Sequence, residues 1–224
     1  MSDQIAPFEG FGDQAISFLT QLESHNNRDF FNANRVVYED HIREPLERLL
    51  AEVSDEFGDS GKVFRPNRDV RFSKDKSPYK LSAAAAIGDN DQSCAIFYVQ
   101  IGAKGLFVAS GIYMMTRDQL QRYYAAIDDD TSGERLESIV ARTRAKGCDV
   151  GGTGLKTAPR GFAKDHPRVQ LLRHKSLTVS REYDREQKWI FTRAALSRVT
   201  DVWREAAPIN EWLTQHVGHP DTES

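Results

Sequence analysis

Apolar side chains recur at helical spacing at both ends of the chain and alternate with polar ones in its middle. The three-to-four-residue spacing predicts helices at residues 13–24, 38–57, 116–127, 132–147 and 186–206, with a short helix at 166–174. Alternation and short apolar runs predict strands at residues 69–72, 81–87, 95–101, 105–112, 155–158 and 176–180. The glycine-containing residues 102–105 join two of these strands, which is typical of a hairpin.

Capping residues and prolines set the expected limits of the helices. Thr116 is a predicted N-cap, because its hydroxyl can accept a hydrogen bond from a backbone N–H of the first turn, and Ser132 is predicted to open the next helix. Pro45 lies within a helical apolar pattern, so a kink or a new helix is expected there. Pro208 predicts the end of the long C-terminal helix and a short helical restart.

The order of the elements predicts the fold class. Helices precede and follow a block of strands, without regular strand–helix–strand alternation. That order predicts a single-domain α+β fold, with an antiparallel or mixed sheet and helices packed on one side, and argues against a doubly wound nucleotide-binding fold. We expect an N-terminal tail at 1–7, one domain at 8–217 and a disordered C-terminal tail at 218–224.

Composition places the chain among intracellular globular proteins. Its 224 residues include 39% hydrophobic ones, arranged periodically, so a buried core is expected. No apolar run approaches the roughly 18–20 residues that span a bilayer, and the first residues are polar and acidic, unlike a secretory signal. Cys94 and Cys148 form no CxxC pair, so we expect two reduced thiols in a cytoplasmic protein with no membrane partner.

Positive charge is concentrated in two segments of an otherwise acidic chain. The first basic segment, residues 62–80, has seven Lys or Arg and two Asp, a formal charge of +5. The second basic segment, residues 156–175, has six Lys or Arg and one Asp, again +5, within a chain of net charge −3. Such asymmetry focuses electrostatic potential and steers anionic partners to one place.

The first basic segment combines cations with residues that ordinarily pack in a core. Its predicted strand places Val70 and Phe72 on the buried face, with Asp69 and Arg71 on the other. Guanidinium forks match carboxylates and phosphates, so an anion site is expected. Its candidate ligand-binding residues are Arg65, Arg68, Asp69, Arg71, Ser73, Lys74, Asp75, Lys76, Tyr79 and Lys80. The alternative is that Arg–Asp ion pairs only staple a loop.

The second basic segment surrounds rigid backbone positions with cations. Residues 164–166 are expected at a helix N-terminus, where backbone N–H groups favour anions. The alternative is a helix capped by Asp165, with its cations solvated. Its candidate ligand-binding residues are Lys156, Arg160, Lys164, Asp165, His166, His174 and Lys175. Three further candidates lie near a predicted helix start: Asn27, Arg28 and Asn34. The alternative is that they are ordinary helix caps.

The sequence carries no recognised catalytic or metal-binding motif. It has no HExxH, GxSxG, P-loop or GxGxxG pattern, and the eight-residue spacing of His166 and His174 matches no metal site. No metal is therefore predicted, and the catalytic residues and cofactors stay unassigned. His166 could act as a general acid or base, but the sequence identifies no residue that would pair with it in that role.

Three parts of the sequence resemble one family. They are residues 8–11, 26–31, 34–35 and 38–39 near the N-terminus, residues 65–80, and residues 155–156, 158–162, 165–167 and 171–175. Together they resemble the domain of unknown function 2461 family, conserved hypothetical proteins of bacteria and fungi, over about residues 8–206. The resemblance implies one domain with two signature segments, and it implies no activity.

Three classes of function follow from the charge pattern. The leading hypothesis is a basic cleft, formed by both basic segments, that binds a phosphate- or carboxylate-bearing small molecule; whether the protein is also an enzyme is left open. The second is a nucleic-acid-binding protein, which needs phosphate contacts along a face and aromatics for stacking. Phe64 and Tyr79 could serve, but both have the character of core residues. The third is a structural or protein-interaction module.

Overall fold

The protein is described by a computed structural model over residues 6–58, 61–90 and 93–221. Its helices are α1 (Ala15–Ser24), α2 (Arg28–Ala33), α3 (Arg35–Tyr38), α4 (Glu44–Phe57), α5 (Arg117–Asp128), α6 (Asp130–Ala145), α7 (Val169–Leu172) and α8 (Ala194–His216). There is also a π-helical turn at Glu39–Arg43 and a 3₁₀ turn at Lys188–Phe191.

The described strands form one six-stranded antiparallel sheet. They are β1 (Lys62–Val63), β2 (Ser82–Asn90), β3 (Ser93–Gly102), β4 (Gly105–Ile112), β5 (Asp149–Gly151) and β6 (Leu177–Asp184). Their order in the sheet is β1-β2-β3-β4-β6-β5. The α+β class and the antiparallel sheet predicted from the sequence are confirmed, as are the strands predicted at 81–87, 95–101, 105–112 and 176–180.

Backbone proximity divides the chain into two compact units. Unit 1 comprises Met1–Ile87, Tyr98–Val108 and Glu182–Thr200, and unit 2 comprises Gly88–Phe97, Ala109–Arg181 and Asp201–Ser224, in each case where the structure describes them. The limits of the domain predicted at 8–217 stay a prediction. Residues 1–5 and 222–224 of the predicted tails lie outside the described residues.

Unit 1 has a core of aromatic and aliphatic side chains. The rings of Phe18 and Phe31 lie 5.9 Å apart, and those of Phe31 and Tyr38 lie 5.1 Å apart. On α4, Leu46 and Leu49 have no exposed surface, as the helical spacing predicts. Full burial of each such leucine contributes about 1.5–3 kcal/mol.

Unit 2 is built around three large aromatic side chains, Tyr123, Trp203 and Trp212, which have no exposed surface. The hydroxyl of Tyr123 donates to the Leu171 carbonyl oxygen at 3.0 Å, and Nε1 of Trp212 donates to the Ser132 carbonyl oxygen at 3.0 Å. These polar groups therefore enter the core with hydrogen-bond partners, which removes most of the penalty for burying them.

Two helix starts follow the predictions and one does not. Thr116 is the N-cap of α5, and Pro45 lies in the first turn of α4, directly after the π-helical turn. The helix predicted to open at Ser132 begins two residues earlier, at Asp130. Asp129 is the N-cap, and its carboxylate accepts a hydrogen bond from the Ser132 N–H at 2.9 Å.

The predicted limits of the C-terminal helix are wrong at both ends. Residues 188–191 form a 3₁₀ turn, α8 begins at Ala194, and Pro208 lies inside it rather than ending it. The helix continues beyond Pro208 because Trp212 and Leu213 are fully buried there. Their burial offsets the roughly 3 kcal/mol that an internal proline costs.

Two predicted strands are absent from the described chain. Residues 69–72 form a loop in which the Asp69 carboxylate accepts a hydrogen bond from the Arg71 N–H at 3.2 Å. Such a local bond competes with strand pairing, and Phe72, expected in the core, is 98% exposed. Residues 155–158 likewise form no strand, and the helix predicted at 166–174 is reduced to the four residues of α7.

Candidate functional site

The first basic segment contains a loop whose two ends are hydrogen-bonded to each other. The N–H of Arg68 donates to the Pro78 carbonyl oxygen at 2.9 Å. The N–H of Lys80 donates to the Pro66 carbonyl oxygen at 2.8 Å. Residues 68–78 are therefore held as a closed loop, which we call the basic loop.

Tyr79 anchors the basic loop to the helical part of unit 1. Nδ2 of Asn26 donates to the Tyr79 carbonyl oxygen at 2.9 Å, and the Tyr79 N–H donates to Oδ1 of Asn26 at 3.1 Å. The Tyr79 ring stacks on Phe31, with 4.0 Å between centroids and 12° between planes. Tyr79 is only 7% exposed, so its ring packs in the core, as its sequence character indicated.

Two arginines of the basic loop are paired with its two aspartates. Nε and Nη2 of Arg71 contact the two carboxylate oxygens of Asp69 at 3.0 and 2.7 Å. Arg68 contacts Asp75, which also accepts from the Ser77 N–H at 2.9 Å. Hydrogen bonds from Ser77 and Arg68 hold the pKa of Asp75 well below its ordinary value, and Arg71 lowers that of Asp69. The stapling alternative accounts for these two arginines.

Five cations of the first basic segment have no carboxylate within ion-pair distance among the described residues. We call them the excess cations: Lys62, Arg65, Lys74, Lys76 and Lys80. Nζ of Lys76 donates to the Val70 carbonyl oxygen at 3.0 Å, and Nζ of Lys80 donates to the Arg65 carbonyl oxygen at 3.1 Å. These carbonyls orient the ammonium groups without neutralising them. Of the remaining candidates here, Ser73 is part-exposed.

A row of part-exposed aromatic rings belongs to the same unit. The aromatic row consists of Phe64, Tyr98 and Phe107. Its successive centroids lie 6.3 and 6.2 Å apart. Nζ of Lys62 and Nζ of Lys80 lie 5.5 and 5.6 Å from the Phe64 centroid. The expectation that Phe64 is a core residue is therefore wrong, because cations and rings share a surface there.

The second basic segment lies in unit 2 as a series of turns. Its exposed candidates are Lys156, Arg160, Lys164, Asp165 and Lys175. The N-cap of α7 is Arg168, so the capping role considered for Asp165 is wrong. The Arg168 side chain is only 5% exposed and is used structurally. Its guanidinium donates to the carbonyl oxygens of Ile127 at 2.7 Å and Asp128 at 3.0 Å.

His166 has an acidic partner that sequence reasoning did not identify. Its Nδ1 accepts a hydrogen bond from the Arg168 N–H at 3.0 Å, which places the ring proton on Nε2. Nε2 lies 3.2 Å from Oδ1 of Asp128 and donates to it. Both ring nitrogens are thus occupied within the fold. This arrangement fits a structural histidine better than a general base, which needs an accessible lone pair.

His174 has a buried ring nitrogen with no partner. Neither its Nδ1 nor Nε of the adjacent Arg173 has a hydrogen-bond partner in the described chain. Burial, assisted by Arg144, lowers the pKa of His174 and so favours the neutral ring near pH 7. Buried polar atoms without protein partners mark places where a water or a ligand supplies the missing bond.

The candidate asparagines near the first helices act as caps. Asn27 is the N-cap of α2 and accepts from the Phe30 N–H at 2.9 Å, and Nδ2 of Asn34 donates to the Phe30 carbonyl oxygen at 2.9 Å. Arg28 is exposed in the first turn of that helix. The residue that reaches the first basic segment is Asn26, which directly precedes these candidates in the sequence. The sequence feature that indicates such a role is a second asparagine next to a helix start that Asn27 already caps.

Unit 2 also contains an open depression of about 520 Å³. The residues lining it include Arg122, Asp129, Ser132, Arg135, Gln215 and His216, none of them a candidate from the sequence. The Arg122 guanidinium donates hydrogen bonds to Oδ1 of Asp221 at 2.8 Å and to the His219 carbonyl oxygen at 2.6 Å. Burial, assisted by Arg135, lowers the pKa of His216. The depression therefore offers mixed polarity rather than a concentration of one charge.

Some site types have no counterpart in the described residues. None of their helices is long and apolar enough to cross a bilayer, and they contain no group of three or more His, Cys, Asp or Glu arranged to hold a metal ion. Cys94 and Cys148 are buried thiols rather than a disulfide, as predicted. The two basic segments belong to different units, and a cleft formed by both stays a prediction.

Comparison with known proteins supports the resemblance seen in the sequence. A family model described as conserved hypothetical protein (DUF2461) matches residues 14–212. The match includes both basic segments and every candidate residue named above. No curated protein matches the sequence.

Proposed function

We propose that the chain, which belongs to the conserved hypothetical protein (DUF2461) family, uses its first basic segment to bind a ligand bearing phosphate or carboxylate groups. The observation that carries the proposal is the set of five excess cations on a hydrogen-bonded scaffold. Two arginines of the segment are neutralised by Asp69 and Asp75, so the remaining +5 charge belongs mainly to lysines.

The scaffold makes this charge available to a ligand. Closure at Arg68 and Lys80, together with the anchor at Tyr79, fixes the backbone before any ligand arrives. A preformed site loses less conformational entropy on binding than a flexible one. Repulsion among like charges is also relieved when an anion binds, which adds to the affinity.

The stapling alternative explains only part of the segment. It accounts for Arg68 and Arg71, whose guanidinium groups already contact carboxylates. It gives no role to Lys74, which is exposed. It accounts for the hydrogen bonds from Lys76 and Lys80 to backbone carbonyls, but not for the charge that these two ammonium groups keep. Anion binding gives all three a role.

Isothermal titration with inorganic tripolyphosphate and citrate tests the proposal. We expect saturable binding of at least one anion, weakened about fivefold for each charge removed in Lys74→Gln and Lys76→Gln. Lys188→Gln is the matched control, because Lys188 is an exposed lysine of the same unit outside the segment. Arg160→Ala reports separately on the predicted contribution of the second basic segment.

Two results would contradict the proposal. One is the absence of saturable binding with a dissociation constant below about 1 mM for either anion. The other is an equal loss of affinity in Lys188→Gln, which would indicate a general effect of net charge rather than a site.

A further inference from the structure

We infer that the ligand of this surface is single-stranded nucleic acid, with bases on the aromatic row and phosphates on the neighbouring lysines. The inference rests on the proposed anion-binding function and names the class of ligand. It is carried by the aromatic row, which the charge argument does not use.

The aromatic row is an outward-facing feature of the sheet in unit 1. Along β3, Val99 and Ile101 have no exposed surface, and the residues that alternate with them, Tyr98 and Gln100, are part-exposed. This alternation points the Tyr98 ring away from the core. Its hydroxyl donates to Oε1 of Gln100 at 2.8 Å, which helps to orient the ring on that face.

The alanine run of β2 allows the rings to meet. In the pairing of β1 with β2, Lys62 lies opposite Ala86 and Val63 opposite Ala85, so Phe64 continues the register opposite Ala84. The Phe64 N–H donates to the Ala84 carbonyl oxygen at 2.9 Å, in agreement with this register. A methyl group at Ala84 leaves room for the Phe64 ring to approach Tyr98 from across the strand.

Cations border one end of the aromatic row. Two ammonium groups, those of Lys62 and Lys80, lie within 6 Å of the Phe64 centroid, and Lys80 is held by the Arg65 carbonyl. Proteins that bind single strands combine such charge, which follows the phosphates, with aromatic faces on which bases stack. Neither a small inorganic anion nor a carboxylate uses the rings.

Phe72 is a second feature that fits the same ligand. It is 98% exposed in the basic loop, between Arg71 and the excess cation Lys74. A duplex keeps its bases stacked internally, so it would leave these rings unused. A lipid surface fits the protruding Phe72, but it does not use the part-exposed rings of the aromatic row, which lie across the strands of the sheet. Single-stranded nucleic acid uses both features.

Fluorescence anisotropy with a labelled, mixed-sequence oligonucleotide of about 12 nucleotides tests the inference. We expect both RNA and DNA single strands to bind more tightly than an abasic strand of equal length or the corresponding duplex. Tyr98→Leu and Phe107→Leu should each weaken binding about fivefold or more and leave tripolyphosphate affinity unchanged. Tyr183→Leu is the matched control, because Tyr183 is a part-exposed tyrosine of the same unit packed against Trp189.

The salt dependence gives an independent measure of phosphate contacts. Each phosphate neutralised on a single strand contributes about −0.7 to the slope of log affinity against log salt concentration. The variant with both Lys62→Gln and Lys80→Gln should therefore have a slope about 1.4 less steep than the wild type. An unchanged slope would contradict the assignment of phosphates to these two lysines.

The outcomes separate this inference from the proposed function. Equal affinity for the abasic strand, or full affinity in Tyr98→Leu, would overturn the inference while tripolyphosphate binding sustains the proposed function. Binding to vesicles of phosphatidylcholine and phosphatidylserine, without binding to oligonucleotides, would overturn the inference in favour of a lipid surface. Failure of every anion, tripolyphosphate included, would overturn both.

Discussion

Replacing Asn26 by Ala should weaken the attachment of the first basic segment to the helices of unit 1. Tyr79 pairs with Asn67 in an isolated antiparallel bridge whose hydrogen bonds are made by the flanking residues. The N–H and C=O of Tyr79 therefore point away from Asn67 and towards the Asn26 amide. Because Tyr79 is only 7% exposed, water can replace the Asn26 amide as its hydrogen-bond partner only if the loop opens.

The magnitude follows from these two hydrogen bonds. Each is worth about 0.5–1.5 kcal/mol net, and a buried polar group left without a partner costs about 1–3 kcal/mol. We therefore expect Asn26→Ala to lower the free energy of unfolding by about 2–4 kcal/mol. For a chain of this size that corresponds to a fall in Tm on the order of 4–16 °C.

Urea unfolding and amide hydrogen exchange together check this expectation. Asn26→Asp keeps the acceptor for the Tyr79 N–H and should lose less stability, whereas Asn27→Ala removes only a helix cap, worth about 1 kcal/mol. In Asn26→Ala, exchange should accelerate over residues 66–80. A change below about 0.5 kcal/mol, or equal acceleration throughout both units, would refute the reasoning.

Two further substitutions test other parts of the fold. Glu52→Gln should lower the urea midpoint at pH 7, because Arg193 contacts both carboxylate oxygens, at 3.0 and 2.7 Å, and lowers the pKa of Glu52. A lowered pKa of Glu52 in the folded state stabilises the fold at pH values above the ordinary Glu pKa of about 4.3. The difference from wild type should therefore shrink as the pH falls below that value and disappear once Glu52 is protonated in the folded state, and a pH-independent difference would contradict it. Arg168→Met should cost about 2–4 kcal/mol in urea unfolding, because it removes the donor to the buried Ile127 carbonyl and the part-buried Asp128 carbonyl. Asp130→Asn, at a carboxylate 86% exposed, should cost less than about 1 kcal/mol, and equal losses would show that the ion pair carries the effect.

Regular elements were predictable wherever burial imposes a period on the sequence. The stripe of α4 and the alternation of β3 each place apolar residues against a core, so their spacing reports the structure directly. The segment at 69–72 also alternates, but a carboxylate bond within it, from Asp69 to the Arg71 N–H, competes with pairing. Periodicity alone carries no information about that competition.

The candidate site was predictable in its charge and not in its pairing. The sequence shows that residues 62–80 contain seven cations and two aspartates, an excess of five positive charges. Which two of the seven cations pair with Asp69 and Asp75 depends on the path of the loop. The Asn26–Tyr79 contact joins residues 53 positions apart. The aromatic row likewise draws its members from β3, β4 and the residue after β1, so no local pattern announces it.

The two kinds of cation in the first basic segment have different roles because their chemistry differs. A guanidinium is a rigid fork that binds one carboxylate through two nitrogens, which suits Arg71 to fixing the loop geometry on Asp69. An ammonium is a compact charge on a flexible stem, so Lys76 and Lys80 can be oriented by a carbonyl and still present charge outwards. The arginines therefore give the loop its shape, and that shape leaves the charge of the lysines to the anionic ligand that we propose for them.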